Sequence, residues 1–579
     1  MAKKRAKSVT KKSPLRSAQV ATPGRDPRVQ KILNCLDQNN WAAAKPLVLT
    51  LADQAQGKIE VLYQCGAWCC DYESFVEGVA LMEQVYAVNP DYMLTREYLL
   101  NSYRMGGFDE HAIRTAKEAV QRTDINNDEF MLACLTLSTY CEWDLLYAQQ
   151  EKMIEIAVAG AYNTRYYNAL LLHFLEQPDI DQATLFKIHQ AAADQWSTVM
   201  PLITPYAQRH KKMRIGYISG DFYQHAVGLF MLDIIAHHRR EFVEVYCFAN
   251  NKLNDSTTEY FQKYADHYID IKHDSDLVAA NKIQKAEIDL LVDLGGFTDF
   301  SRLSVLRYKP APVQVSYLGY PSTTGMEVVD YRITDDIADP EGADQFYTEK
   351  LLRLPDGFLC RTRMSAPYRL DEPATVKNGF ITFGSLNHLR KINPPLIKLW
   401  AEILSKVEGS RFIIKARGLD AIQQQVVRDL FASHGIDGDR IEMYAFMEDP
   451  KQHIDMVNRI DIALDSFPYH GTTTTCETLD MGIPIVTLAG KSHVQRVSYS
   501  ILKHIGFEPC IAFTEEEYIE KAVNLALNPQ GLTLLRKVLP MLLMNTSMGQ
   551  PEPFVANLEQ AYLLAWQDKM GSAWDFSKF

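Results

Sequence analysis

The stretch Asp461-Ile462-Ala463-Leu464-Asp465-Ser466-Phe467-Pro468-Tyr469-His470-Gly471-Thr472-Thr473-Thr474-Thr475-Cys476-Glu477-Thr478-Leu479 passes from an apolar triplet, through a Pro/Gly break, into a run of hydroxyls and a helical period. Ile462 to Leu464 are short and apolar enough for a buried parallel strand, Phe467 to Gly471 interrupt the pattern, and helical spacing resumes after Cys476. Strand, turn and helix in that order form one unit of an alternating α/β sheet. The threonines fall where the helix begins. Backbone N–H groups there have no intrahelical partner and point at whatever anion lies above them, while the hydroxyls add donors. A diphosphate suits that position, and Glu477, about one turn inside, is within reach of the two hydroxyls of a ribose. Taken alone, the same residues equally describe a threonine-capped helix with a capping-box acid.

The same alternation extends on both sides. Ile215 to Ile218, Val243 to Phe248, Ile288 to Val292 and Val313 to Leu318 read as short apolar strands separated by helical stretches. A second series follows at Phe380 to Phe383, Arg411 to Ile414, Ile441 to Met443, Ile462 to Leu464 and Ile485 to Leu488. Two such series predict two α/β domains with parallel sheets, over 209–365 and 366–545, with a closing helical segment over 546–579 that packs back on them. Ligands of such sheets sit beyond the carboxyl ends of the strands, so the loops there are where chemistry is expected.

Upstream of Met213 the pattern is different. From Val29 to about Gln208 apolar residues recur at helical spacing with short polar breaks, which predicts an all-α region over 29–208. Gly78, Ala112 and Tyr147 stand 34 and 35 residues apart, and Phe108 and Trp143 again 35 apart. That period belongs to tetratricopeptide-like helical hairpins, here two to four degenerate copies, with Tyr147 where a small residue would pack. Stacked hairpins offer a concave surface to an extended peptide, or serve only as a helical cap on the neighbouring domain. Residues 1–28 are rich in Lys and Arg and poor in aliphatics, so a solvated tail is expected.

Bulk properties narrow the function classes. The chain has 579 residues, too many for one core, with 47% hydrophobic and 23% charged residues, as in folded soluble proteins. A net charge of −12 argues against a nucleic-acid-binding surface spread over the chain. No apolar run approaches the roughly 20 residues of a membrane span, and the first residues lack the apolar core of a signal peptide. The ten cysteines show no CxxC pairing, so they are expected to be reduced thiols of a cytoplasmic protein, with no metal site.

Three further loops carry chemistry. Ser219-Gly220-Asp221-Phe222-Tyr223-Gln224-His225, after the first strand, sets a carboxylate and an imidazole four residues apart, and a histidine can take a proton near neutral pH. A single loop histidine also commonly serves only as a hydrogen-bonding group. Leu318-Gly319-Tyr320-Pro321-Ser322-Thr323-Thr324-Gly325 supplies small residues that let a backbone approach a ligand, as many tight loops do. Phe383-Gly384-Ser385-Leu386-Asn387-His388-Leu389-Arg390-Lys391-Ile392-Asn393-Pro394 places Lys391 before a proline that can open the next helix, where a cation neutralises a departing diphosphate or is simply a surface lysine. His453, shortly before the opening stretch, can stack on a base or bond a phosphate, or lie on an ordinary helix face.

Together and in this order, these segments resemble the O-GlcNAc transferase and SPINDLY family of nucleotide-sugar glycosyltransferases from about Arg214 to the end of the chain. The most specific parts are Pro312-Val313-Gln314-Val315 with Gly319-Tyr320-Pro321, Asp330 to Asp335, Phe383-Gly384-Ser385 to Lys391, Asp461 to Leu479 and Met481-Gly482-Ile483-Pro484. The wording is nearer the plant SPINDLY type in Thr472 to Thr475 and Leu352-Arg353-Leu354-Pro355-Asp356. The resemblance implies a GT-B fold, two Rossmann-like domains facing one cleft, and inverting, metal-independent transfer of a sugar to Ser or Thr hydroxyls of a protein. It assigns the diphosphate to Lys391 and to Gly471, Thr472, Thr473 and Thr474, the ribose to Glu477, and the base or phosphates to His453. Asn387 and His388 join the donor site, the sugar falls to Leu318 and Gly319, and Asp221 and His225 face the acceptor as catalytic candidates. Animal members carry Asp at Glu477 and His at Thr472 and have a long insert between the catalytic domains. Here only about Arg361 to Lys377 links them, so the chain reads as a compact member. The implied donor is UDP-GlcNAc, with GDP-fucose and UDP-glucose as alternatives, and the acceptor is a protein or peptide held by the helical region. A non-catalytic peptide-binding scaffold is the alternative of a different class.

Overall fold

The computed structural model describes residues 27–38, 40–163, 167–202, 211–361, 369–447 and 449–571. Residues 1–26 of the expected tail, 203–210, 362–368 of the linker and 572–579 lie outside them. Two compact units are present: Met1–Ile156 with Ala161–Tyr166, and Ala157–Gly160 with Tyr167–Phe579.

The first unit is helical. Its first helix, Pro27–Asp37, begins inside the stretch read as tail. Helices Trp41–Asp53, Ile59–Asp71, Phe75–Val88, Thr95–Gly106, Asp109–Gln121, Asn127–Thr139 and Trp143–Ala148 follow through short turns. Gly78 is required by packing. A Cβ there would lie 2.5 Å from Cys70 Sγ, so Ile59–Asp71 and Phe75–Val88 approach closely at this point. Gly78 and Ala112 are each the fourth residue of their helices, and the fourth residue of Trp143–Ala148 is Leu146, which is buried, whereas Tyr147 is half-buried. The repeat position expected at Tyr147 is therefore one residue earlier, at a constant spacing of 34.

The second unit opens with helices Tyr167–Leu175 and Gln182–Asp194 and then builds two sheets. The first contains β1 (Met213–Ser219), β2 (Val243–Ala249), β3 (His267–Asp270), β4 (Leu290–Asp293), β5 (Val313–Ser316), β6 (Tyr331–Asp335) and β7 (Lys350–Leu354), all parallel, in the order β3-β2-β1-β4-β5-β6-β7. The second contains β8 (Thr382–Ser385), β9 (Arg411–Lys415), β10 (Ile441–Tyr444), β11 (Ile462–Leu464), β12 (Ile485–Leu488) and β13 (Ile511–Ala512), also parallel, in the order β10-β9-β8-β11-β12-β13. Both are doubly wound, and each reverses direction once, between β1 and β4 and between β8 and β11. Such switch points open a crevice at the carboxyl ends of the strands, where ligands of this architecture bind.

The last helix, Pro551–Met570, crosses back to the first sheet. His238 Nδ1 donates to Glu559 Oε1 at 2.9 Å and Arg239 Nε to Glu559 Oε2 at 2.6 Å, while Tyr331 Oη donates to Asp568 at 2.6 Å. A second tie joins the two sheet domains directly: His493 Nδ1 lies 2.7 Å from Asp339 Oδ2 and Ser500 Oγ donates to Asp335 Oδ2 at 2.6 Å. Among the described residues no helix is long and apolar enough to cross a membrane.

Candidate active site

At the β8/β11 switch point the site is organised by Asp465, the residue after β11. Its Oδ1 accepts from Ser466 N and Gly471 N, each at 2.9 Å, and from Asn387 Nδ2 at 3.3 Å; its Oδ2 accepts from Thr487 Oγ1 at 2.9 Å. The loop from 465 to 472 is thereby wrapped around a carboxylate, and its far end is delivered to helix Thr473–Asp480. Asn387 spends the other end of its amide on Thr474, whose Oγ1 donates to Asn387 Oδ1 at 2.9 Å. Asn387 thus aligns the threonines with the loop after β8.

Lys391 ends the short turn Leu389–Lys391, and Asn393 caps the following helix Pro394–Lys406, whose first residue is the proline noted in the sequence. Lys391 Nζ donates to His470 O at 2.7 Å and lies 3.8 Å from the centre of the Tyr469 ring. The cation is thereby aimed at the entry to the threonine helix. Burial lowers its pKa to about 8, with Asp465 and Glu176 pulling the other way. At Gly471 a Cβ would come 2.5 Å from Thr474 Oγ1 and 2.6 Å from Thr475 Oγ1, so only glycine lets the hydroxyls fold over the backbone.

Thr472 is the N-cap residue but makes no side-chain capping bond, and Glu477 is the fifth helical residue, not the third that a capping box needs. The capping alternative is therefore absent. The N–H groups of Thr473, Thr474 and Thr475 occupy the positions that have no intrahelical acceptor. Thr475 Oγ1 turns inward to Ser498 Oγ at 2.9 Å. Burial raises the Glu477 carboxyl, against Arg361 and Lys415. Lys415 closes β9 and also acts on His453, whose imidazole is held to about 4 by burial first and this cation second. His453 Nδ1 is buried with no hydrogen-bond partner among the described residues. Glu477, His453 and Lys415 therefore gather on one side of the crevice.

His388 Nδ1 accepts from Arg390 N at 3.2 Å, which leaves the ring proton on Nε2. Burial, Arg390, Lys391 and Arg417 push its pKa to about 3, so it stays a neutral donor.

At the β1/β4 switch point the loop after β1 carries Asp221, which is buried. Burial and Asp299 raise its carboxyl to about 7. Asp293, at the end of β4, is raised to about 6 by burial, against the N–H groups of Gly296 and Gly295 and with Asp221 adding to the rise. His225 Nδ1 is 3.4 Å from Asp221 Oδ1 and accepts from Val227 N, also at 3.4 Å. Burial and Arg417 lower its pKa to about 4. Arg417 follows β9, so its influence on both His225 and His388 marks the loops of the two sheets as walls of one cleft.

Leu318 has φ +75, and Gly319 N bonds back across it to Tyr317 O at 3.0 Å, a γ-turn. A Cβ at Gly319 would lie 2.0 Å from Leu294 O, so the turn is pressed against the loop after β4. Holding a leucine in this region costs about 1–3 kcal/mol, the kind of strain that collects at functional sites.

The structure thus forms two groups across one cleft: Asp221, His225, Leu318 and Gly319 on the first sheet, and Asn387, His388, Lys391, His453, Gly471, Thr472, Thr473, Thr474 and Glu477 on the second. Sequence reasoning did not single out Asp465, Tyr469, Lys415, Asp293 or Glu176. Asp465 and Lys415 carried a signal, as charged residues closing or following apolar strands; Glu176, distant in the chain and within a helical region, carried none.

Two doubly wound domains meeting at a cleft, with an anion-directed helix start on one side and a raised carboxyl on the other, define a GT-B glycosyltransferase architecture. The glycosyl transferase family 41 profile matches residues 199–377 and 365–550, and the chain belongs to that family. It is 35% identical over 400 residues to a tomato (Solanum lycopersicum) protein named "Probable UDP-N-acetylglucosamine-peptide N-acetylglucosaminyltransferase SPINDLY", covering 67% of this chain and 43% of that one. It is 24% identical over 477 residues to the UDP-N-acetylglucosamine-peptide N-acetylglucosaminyltransferase of Caenorhabditis elegans, covering 62% and 41%. The chain spans less than half the length of these curated relatives. A solved O-GlcNAc transferase of Thermobaculum terrenum, a lysine-to-methionine mutant, superposes with a TM-score of 0.73 at 27% identity, covering 94% of this chain and 99% of that one.

Proposed function

We propose that the protein is an inverting, metal-independent glycosyltransferase that moves GlcNAc from UDP-GlcNAc to a Ser or Thr hydroxyl of a protein. The observation that carries this reading is Lys391, half-buried and directed by His470 O and Tyr469 at the start of the threonine helix. The acceptor oxygen attacks the anomeric carbon from the face opposite the diphosphate. The new C–O bond forms as the bond to the diphosphate oxygen breaks, and the leaving electrons are held by Lys391, by the N–H groups of the helix start and by the hydroxyls of Thr472 and Thr473. Fixed donors of this kind act on charge as it develops and need no reorganisation.

The hydroxyl proton goes to Asp221. Its raised pKa makes it a base matched to neutral pH. His225 is less suited, because Nδ1 accepts from Val227 N and the ring then presents Nε2–H, a donor that orients the acceptor or sugar. Glu477 takes the ribose hydroxyls and His453 the base, with Leu318 and Gly319 against the sugar. Lys391 and the helix start do the work that a cation would otherwise do. The His/Asp/Glu cluster at Asp335, Asp336 and His504 is no rival, since the Asp335 carboxylate already accepts from Ile337 N, Ala338 N, Phe358 N and Ser500 Oγ. The names of the relatives support UDP-GlcNAc as donor and a peptide as acceptor; GDP-fucose and UDP-glucose suit the same phosphate site. A cytoplasmic setting accords with the ten unpaired cysteines.

The test is turnover of UDP-GlcNAc, UDP-glucose and GDP-fucose by the purified protein with a peptide library, read by mass spectrometry. Sugar on Ser or Thr from UDP-GlcNAc is expected. Selective consumption of another donor would replace UDP-GlcNAc, and no binding or turnover of any donor would overturn the enzyme reading.

A further inference from the structure

Helix Tyr167–Leu175 ends against the loop after β8, and the next residue, Glu176, is 4% exposed. Its Oε1 lies 3.5 Å from Nε of Arg390, the neighbour of Lys391. Neither Arg390 Nε nor Glu176 Oε2 has a hydrogen-bond partner among the described residues, which is uncommon for buried charged atoms. The charge of Arg390 also lowers the pKa of His173 in that helix, after burial, and the charge of Glu176 adds to the rise that burial imposes on the hydroxyl of Tyr469, the ring centred 3.8 Å from Lys391 Nζ. The charged and titratable groups facing Lys391 are therefore Glu176 and Tyr469, Arg390 and His388 of its own loop, and Asp465 and His470 of the loop after β11. Asp465 has committed both oxygens to Ser466, Gly471, Asn387 and Thr487. Glu176 has not. Two adjacent cations on one short turn repel each other, and the carboxylate with open capacity is the one that comes from the helical segment.

We propose that Glu176 is a positioning residue for the departing diphosphate: it anchors Arg390 and supplies counter-charge to Lys391, which makes the helix before the first sheet a working part of the donor site. This rests on the reading of Lys391 as the diphosphate's cation. Removing the carboxylate leaves two cations with only the saturated Asp465 beside them, and Lys391 loses its proton more readily.

Competitive acetylation with acetic anhydride, followed by peptide mass spectrometry, gives the pH midpoint of the Lys391 amine in the unliganded full-length protein without recourse to turnover. In Glu176→Gln that midpoint falls by about one pH unit, within the range that a nearby opposite charge produces. UDP, used as the probe in calorimetry, then loses affinity about fivefold at pH 8.5 and little at pH 6.5. Glu176→Asp, which draws the charge back by one methylene, shifts the midpoint in the same direction by less, and decides the matter if the glutamine variant does not fold. A purely structural role would lower the melting temperature and leave the midpoint in place. An unmoved or raised midpoint in a folded variant overturns the proposal. Should Lys391→Ala bind UDP as tightly as the wild type at both pH values, the diphosphate reading of Lys391 falls, while the acetylation result still decides whether Glu176 acts on it.

Discussion

Replacing Lys391 by alanine should damage the chemical step more than donor binding. In the bound donor the diphosphate already carries its ground-state charge, shared among the helix N–H groups, the threonine hydroxyls and Lys391; bond cleavage adds about one further unit of charge. At about 4 Å and an effective dielectric constant of about 20, a unit charge meeting the ammonium is worth about 4 kcal/mol. Realising half or more of that increment in the transition state gives about 2–4 kcal/mol, or a fall of roughly 30- to 1000-fold in kcat. UDP binding should weaken only about tenfold, since the remaining donors stay and the variant is spared the burial of an ammonium. The pH profile sharpens the test. Asp221, raised to about 7 by burial and Asp299, must be ionised, so kcat/KM rises as pH passes through about 7. Lys391, lowered to about 8 chiefly by burial, must be protonated, so kcat/KM falls as pH passes through about 8. The wild type should show a narrow bell centred at roughly pH 7.5, and Lys391→Ala should lose its alkaline limb. Steady-state kinetics with the donor varied from pH 5.5 to 9.5 measure both effects. A loss confined to KM, or an alkaline limb surviving in the variant, would refute the reasoning.

Asp221→Asn should lower kcat about 1000-fold and abolish the acid limb while UDP affinity holds within about twofold; an acid limb that persists would pass the role of base to another group. Glu477→Ala should weaken UDP about tenfold by calorimetry yet leave 2′,3′-dideoxy-UDP nearly unaffected, and equal losses for the two ligands would contradict the ribose contact. Turnover should be indifferent to millimolar EDTA, and a loss that Mg²⁺ restores would show that Lys391 and the helix start do not suffice.

Much of this architecture is legible in the amino-acid sequence. Strands β1, β2, β4, β5, β8, β9, β11 and β12 were legible because parallel strands inside a sheet are covered on both faces and largely apolar: Ile462 and Leu464 are at most 1% exposed. β10 is an edge and was legible only through its apolar Ile441 and Met443. Four strands were not. β3 and β7 are edges whose sequences, His-Tyr-Ile-Asp and Lys-Leu-Leu-Arg-Leu, face solvent in part, and β13 is only two residues long. β6 hides a buried Arg332 whose two terminal nitrogens donate to Ser322 O and Tyr320 O, which no periodicity reveals. The threonine helix was legible because strand, break and hydroxyls are contiguous. Glu176 was not, because its relation to Lys391 is tertiary: 215 residues separate them, and nothing local marks one glutamate of a helical region from the others. Nor could spacing distinguish Leu146 from Tyr147, since a shift of one residue within a degenerate repeat changes the burial of both but the pattern of neither.

The return of helix Pro551–Met570 to the first sheet bears on the order of events during synthesis. The strands from Met213 to Leu354 leave the ribosome well before the segment that covers His238 and Tyr217, and until then His238 Nδ1 and Arg239 have no Glu559 to bond. The nascent first sheet must therefore wait, incompletely clad, while the whole second sheet domain is translated. Folding of the first sheet domain during synthesis is therefore closed by a helix translated after both sheets, and a ribosome stalled between Ala512 and Pro551 holds a first sheet that still lacks Phe554, Leu558, Tyr562 and Trp566, an apolar seam for chaperones to shield.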